Sequence, residues 1–412
     1  MRRLPLYLVL AAVIVLGLPS CEPEILPGSV NTEKPGGDEG GEDNPDPDPD
    51  PDPDPNPDPD PDPDPEPDPE PDPEPVLKDY IERPRTVKAS ADYKYVDHRG
   101  TTYETKKEVR NYEACYDIRR HNPMWVAYPC HEIYWEGGYT RPKPDPWRPD
   151  PAFGEGEQSI IYASDWADWP WGTVSKDDLK SPSDKYQYWS GVPTGKYTTR
   201  GHLMRSAERG AGSWNKLFEL NEQTFYPTNI APELYENVDV DGDSHWGMIE
   251  NILPNKWRCD DTVYVVVGCW YDNDEWKLFD AVSGRDKSEK SKECVMPKAR
   301  YKIVLRTKNG KTGKPIWQCS ANEVMAIGFW FPQSWTGETK TTLPPLADYI
   351  YSVSEIEKKI GNEFSFFPLA PEGVKDSYSI SDWPGLAAIA GTKTSPSGMT
   401  IEDFTSGGTV SW

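Results

Sequence analysis

The chain has 412 residues, 44 prolines, seven cysteines and a formal net charge of −25. Twenty-one acids against one lysine fall between Glu22 and Pro75, so the 337 residues that follow carry only −7. This composition excludes a wholly disordered chain, a collagen-like repeat and a multi-span membrane protein, and disfavours a protein that holds nucleic acid by bulk positive charge.

Residues 1–20 have the shape of a secretory signal, with Arg2 and Arg3 before an apolar run from Leu4 to Leu18. The run ends in Leu18-Pro19-Ser20-Cys21, which resembles a bacterial lipobox and makes Cys21 the candidate for lipidation. Several acyl chains would hold the protein on a membrane, at about 0.8 kcal/mol for each buried CH₂. Glu22 follows Cys21, so no strong signal for inner-membrane retention is present. An outer-membrane lipoprotein, facing the periplasm or the cell surface, is the expectation.

Residues 21–75 form an acidic tether. From Pro45 to Pro75 proline alternates with Asp or Glu, apart from Asn56. Proline fixes φ and keeps the preceding residue out of the helical region, so polyproline II is expected. At about 3.1 Å per residue the tract reaches roughly 100 Å. Alternating prolines prevent the acids from converging on one calcium ion.

Residues 76–412 read as a single α+β domain. Strand-like runs occur at Trp125–Tyr128, Thr262–Gly268, Tyr301–Arg306 and Ala326–Phe331, rich in β-branched and aromatic residues. Helical stretches are predicted over Trp246–Trp257 and Ser354–Gly361, the second capped by Ser354 with Glu357 three residues on. Six cysteines follow Cys21, an even number that in an exported domain allows disulfides, with 15 possible pairings. No CxxC or Cys/His metal spacing is present.

Three blocks carry the chemistry. They are Thr199-Arg200-Gly201-His202, then Thr224-Phe225-Tyr226-Pro227-Thr228-Asn229-Ile230-Ala231-Pro232, then Asn237 followed by Trp246 and Glu250. Arg-Gly-His alone is a weak signal, but the three in this order are specific. Together they resemble the DNA/RNA non-specific endonuclease family, which implies a ββα-metal nuclease core on an antiparallel sheet. The resemblance extends over about residues 95–385 and includes Arg141 with Trp147 and Asp150-Pro151.

Phosphodiester hydrolysis needs an activated water, a charge clamp on the phosphate and help for the leaving oxygen. His202 is the candidate general base, because a histidine accepts a proton at neutral pH. The resemblance implies that Asn237 binds a divalent metal, Mg²⁺ in first place and Mn²⁺ as the alternative. Glu250 would orient a water of that metal or a neighbouring group. Arg141 would stabilise charge on the phosphate, Asn229 would hold either the site's geometry or the phosphate, and Arg200 would support either. DNA and RNA are the implied substrates.

Thr199 stands where many relatives have Asp, and Glu233 where Gln is usual. An acidic insert lengthens the gap between Asn237 and Trp246, which makes Asp243 the alternative metal ligand because it lies two turns before Glu250. The insert also hints at calcium, but its glycine is misplaced for an EF-hand loop. Between Arg285 and Lys314 eleven basic residues face three acidic ones. That stretch either guides a polyanion or protects a strand edge. Two other readings stay open: a phosphodiesterase of the same fold with other substrates, and a surface lipoprotein without catalysis whose 17 tryptophans stack on glycans or nucleotides.

Overall fold

The computed structural model describes residues 80–139, 146–154, 156–159, 168–169, 172–173, 198–210, 218–234, 244–274, 277–279, 293–333 and 342–393. The chain divides into two units, Met1–Pro71 and Asp72–Trp412, and every described residue lies in the second.

In chain order the main elements are β1 (Tyr93–Thr101), β2 (Glu108–Asp117), β3 (Asn122–Cys130), β4 (Thr198–His202), β5 (Ile230–Leu234), α1 (His245–Ile252), β6 (Val263–Trp270), β7 (Ala299–Thr307), β8 (Val324–Pro332), β9 (Ile350–Tyr351) and α2 (Val353–Lys359). Seven of them make one antiparallel sheet in the order β9-β8-β7-β6-β3-β2-β1. The four strand runs legible in the sequence coincide with β3, β6, β7 and β8. These are the central strands, covered on both faces; β3, β6 and β8 read as apolar runs, while β7 is interrupted by Lys302 and ends its run at Arg306. β1 is an edge strand whose exposed positions include Asp97 and Arg99, and it lacks that signal.

β7 divides the two layers. Tyr301 faces Phe366 and stacks on Trp330, with ring centroids 5.5 and 6.2 Å away. Alternate residues Arg300, Lys302 and Arg306 point to the opposite face, where α1 lies; Arg306 donates to the Trp257 carbonyl at 2.6 Å. Arg300, Lys302 and Arg306 are buried, so the basic stretch does not act as one exposed guide. Its exposed lysines Lys308, Lys311 and Lys314 pair with Asp382, Asp260 and Glu323, beyond the end of β7 away from Arg300.

α1 forms because Ser244 caps it, its hydroxyl accepting from the Gly247 amide at 3.4 Å, and because Trp246, Ile249 and Leu253 recur at helical spacing toward the core. The expected helix to Trp257 closes as a single π turn, Leu253–Trp257, where Pro254 supplies no amide hydrogen. α2 begins two residues earlier than expected. Ser352 is its cap and Glu355 completes the reciprocal capping box. Ser354 instead bonds Asp376 at 2.6 Å, and Glu357 holds the Phe366 amide and Lys375.

All six cysteines of this unit are free thiols, so the disulfides allowed by their even number are not formed. Burial pushes the Cys269 thiol up to about 12, which makes it a small apolar side chain in practice. Among the described residues, no helix is long and apolar enough to cross a membrane.

One buried carboxyl makes stability depend on pH. Glu113 on β2 lies opposite Asp97 on β1, with Arg83 at 3.1 Å. Burial pushes its carboxyl up to about 7, against the pull of Arg83. The folded state therefore favours the protonated form, and this contribution is lost as pH rises from about 4.5 through about 7. Glu113→Gln should flatten that slope and add about 2 kcal/mol at pH 8. Urea unfolding at pH 5 and pH 8 checks it; equal slopes for the two proteins would refute it.

Candidate active site

The hairpin β4–β5 presents His202. Its ladder pairs His202 with Ile230, Arg200 with Pro232 and Thr199 with Glu233. Just past the ladder, Leu203 donates to the Asn229 carbonyl and Met204 to the Asn229 side-chain oxygen, both at 2.8 Å. The Asn229 amide donates in turn to the carbonyls of Met204 and Thr224 at 2.8 and 2.7 Å. Buried, with both amide hydrogens given to backbone, Asn229 holds geometry. It clamps the chain leaving His202 to the helical turns before β5.

Two aromatic rings flank the imidazole. Trp147 and Phe225 each lie 5.1 Å from the His202 ring and 4.8 Å from one another. Trp147 reaches this position because Asp150 anchors its loop. Asp150 accepts from Thr228 at 2.6 Å, meets His98 Nε2 at 2.9 Å, and exchanges hydrogen bonds with the Gln158 side chain through its own amide and carbonyl. Thr228 is the neighbour of Asn229, so one carboxylate ties the loop to the same turn that clamps His202.

The segment after His202 is pinned by Arg209, whose guanidinium donates to the Glu208 and Pro129 carbonyls and to both the carbonyl and side chain of Asn111. Asn111 is the extra residue of a β-bulge, since His98 opposes Tyr112 and Arg99 opposes Arg110. The bulge turns its side chain toward Arg209, Leu220 and Gln223.

Beneath α1 lie two ion pairs. Arg300 pairs with Glu233, and its other terminal nitrogen donates to the His202 carbonyl at 2.7 Å. Gly201 is required beside them, because a Cβ there would sit 2.2 Å from the Glu233 carboxylate and 2.8 Å from the Ala231 carbonyl. Two residues along β7, Lys302 lies 3.8 Å from Glu208, both fully buried, and burial raises the Glu208 carboxyl. The two cations lie 4.0 and 5.3 Å from the Trp246 ring. Trp246 Nε1 donates to Glu250 Oε1 at 2.9 Å, and Arg205 reaches the other Glu250 oxygen at 3.8 Å and Asn251 at 2.8 Å.

Of the sequence-predicted residues, His202, Asn229 and Glu250 are joined by this network. Arg200 and Thr199 lie in β4, where only their backbone is described. Arg141, Asn237, Asp243 and Cys21 fall outside the described residues. Arg205 and Arg300 are additions to the site, and Trp246, read in the sequence as part of the third block, gains a contact with Glu250. Arg205 is three residues from His202, a proximity that was the available signal. Arg300 was hidden in a stretch read by its net charge.

A metal site is tested by the donors at hand. Among the described residues no three His, Cys, Asp or Glu side chains converge. Mg²⁺ keeps several waters and takes one or two protein oxygens. Glu250 suits such an ion, because its carboxylate is partly exposed and has acceptor sites beyond the Trp246 bond.

A family model described as DNA/RNA non-specific endonuclease matches residues 91–373. A solved structure described as the EndoG/EndoGI complex aligns at 15% identity and a TM-score of 0.39, covering 68% of this chain and 89% of that one. No curated protein matches the chain.

The clamp at Asn229 is testable by stability. Asn229→Asp keeps the shape, removes both donated hydrogen bonds and sets a carboxylate against two carbonyls. A loss of about 3 kcal/mol is expected in urea unfolding at pH 7; a loss under about 1 kcal/mol would mean that the clamp is not needed.

Proposed function

The chain belongs to the DNA/RNA non-specific endonuclease family, and from that membership we propose that it hydrolyses phosphodiester bonds of DNA and RNA with His202 as general base and one divalent cation at the scissile phosphate. The observation that carries the reading is the mounting of His202. Its main chain is held by Arg300 and by the Asn229 clamp, while its ring is flanked by Trp147 and Phe225. A base fixed in this way accepts a proton along one direction, which is what attack by water requires.

In this reading the His202 imidazole takes a proton from water as its oxygen bonds to phosphorus. The bond from phosphorus to the departing sugar oxygen breaks, and that oxygen takes a proton from solvent water, to which His202 afterwards releases the one it took. Arg205, half-buried beside Glu250, would stabilise the phosphate as its charge grows, and the family resemblance gives Arg141 the same role. By the family resemblance Asn237 would hold a divalent cation, Mg²⁺ or Mn²⁺, and Glu250 would orient a water of that ion or a neighbouring group; the ion would supply charge stabilisation at the phosphate. These contacts address the backbone of the substrate, which carries no sequence information directly.

Among the described residues, the tryptophans form no exposed platform on which a glycan would stack. Trp125, Trp147, Trp246, Trp257, Trp330 and Trp383 are buried, and Trp135, Trp270 and Trp317 are partly buried against the core. They fill the interior.

Supercoiled plasmid and RNA, incubated with the purified chain in Mg²⁺, test the proposal. Both polymers should be cut, EDTA should stop cleavage, and His202→Ala should lower the rate about 10²–10⁴-fold. Cleavage that survives His202→Ala would reject the base assignment.

We further propose that Cys21 carries the lipid and that the tether holds the nuclease away from an outer membrane. Cys21→Ser should move the protein from the membrane fraction to the soluble fraction. Retention in the membrane after that change would reject the anchor.

A further inference from the structure

The geometry points to Arg300 as a positioning residue that sets His202 and Glu250 relative to one another. This inference rests on the nuclease reading above. Arg300 is fully buried on β7, a strand hydrogen-bonded on both sides by β6 and β8. Its guanidinium serves three contacts at once. One terminal nitrogen pairs with Glu233, the other donates to the His202 carbonyl at 2.7 Å, and its planar face lies 4.0 Å from the Trp246 ring. Trp246 then donates its indole hydrogen to Glu250 at 2.9 Å. His202 therefore hangs on Arg300 through its main chain, and Glu250 hangs on it through one indole.

Three features make this a matter of geometry. A buried ion pair gains little stability over an apolar pair of similar volume, so stability alone does not account for a guanidinium here. The planar fork of arginine addresses two directions and one face, which the single ammonium of lysine does not. Gly201 leaves room for the approach, since a Cβ would meet the Arg300 guanidinium at 2.6 Å. Lys302, on the same face of β7 and 5.3 Å from the same ring, supports the indole, and its pairing with Glu208 ties it to the segment that follows His202. A shift of about 1 Å in a reacting group costs on the order of 10²-fold in rate, so a tie of this kind governs turnover without touching substrate.

The test uses the full chain with plasmid DNA in Mg²⁺, in three forms: wild type, Arg300→Lys, and Arg300→Met combined with Glu233→Leu. The double substitution replaces both charges by apolar groups and is the form expected to keep the melting temperature. Expected results are a fall in kcat of about 30-fold or more for the double variant and about tenfold for Arg300→Lys, with KM within about threefold of wild type in both. Either folded variant with kcat within threefold of wild type overturns the proposal. An activity loss that tracks the unfolded fraction and disappears on cooling also overturns it, because the role is then structural. A wild-type chain that cuts neither DNA nor RNA overturns the nuclease reading itself, and it does so before any variant is compared.

Discussion

The pairing of β3 with β6 is the constraint on which the rest of the molecule depends. Cys130, the last residue of β3, sits opposite Val263, the first residue of β6. The chain leaves the middle of the sheet at one point and re-enters at its neighbour, after residues 131–262. Everything that carries the proposed chemistry lies in this excursion, which must begin and end at the same end of two central strands. The rest of the sheet supports it. β1 and β2 extend one side, β7 and β8 the other, and β7 sends Arg300 and Lys302 up into the face that the excursion covers.

Among the described residues of the excursion, many backbone groups lie outside ladders and helices, and buried ones need some other partner. Polar side chains supply them. Asn111, Arg209, Asn221, Gln223 and Asn229 all bond to main-chain carbonyls across the turns around His202. These residues look like ordinary loop polarity in the sequence, yet they are buried in the structure. Beyond the β4–β5 ladder, the backbone around His202 is cross-linked by side chains.

The motif around His202 was legible because its residues are close in sequence and their types are chemically restrictive. β3, β6 and β8 were legible because burial on both faces leaves an apolar run, and β7 by its aromatic and branched residues between the cations. Other features were not. Net charge placed Arg300 and Lys302 in a basic stretch, while strand alternation sends them to one covered face between Tyr301 and Ile303. At the start of α2 a serine with a glutamate three residues on occurs twice, at Ser352 and at Ser354, and local pattern does not choose between them. The turn that docks Ser354 against Asp376 does.

Residue type alone determined the acidic proline tract, the apolar leader, the strand-forming runs and the presence of a histidine in an Arg-Gly-His strand end, since each depends on neighbours within a few positions. Only the tertiary structure decided what stands around that histidine. Trp147 comes from 55 residues before it and Arg300 from 98 after it. Such contacts are set by strand order and by the bulge at Asn111, neither of which leaves a local mark. The thiols likewise stay single, which their even number does not reveal. Short-range chemistry is written in neighbouring residues; the distances between remote ones exist only once the excursion has closed between β3 and β6.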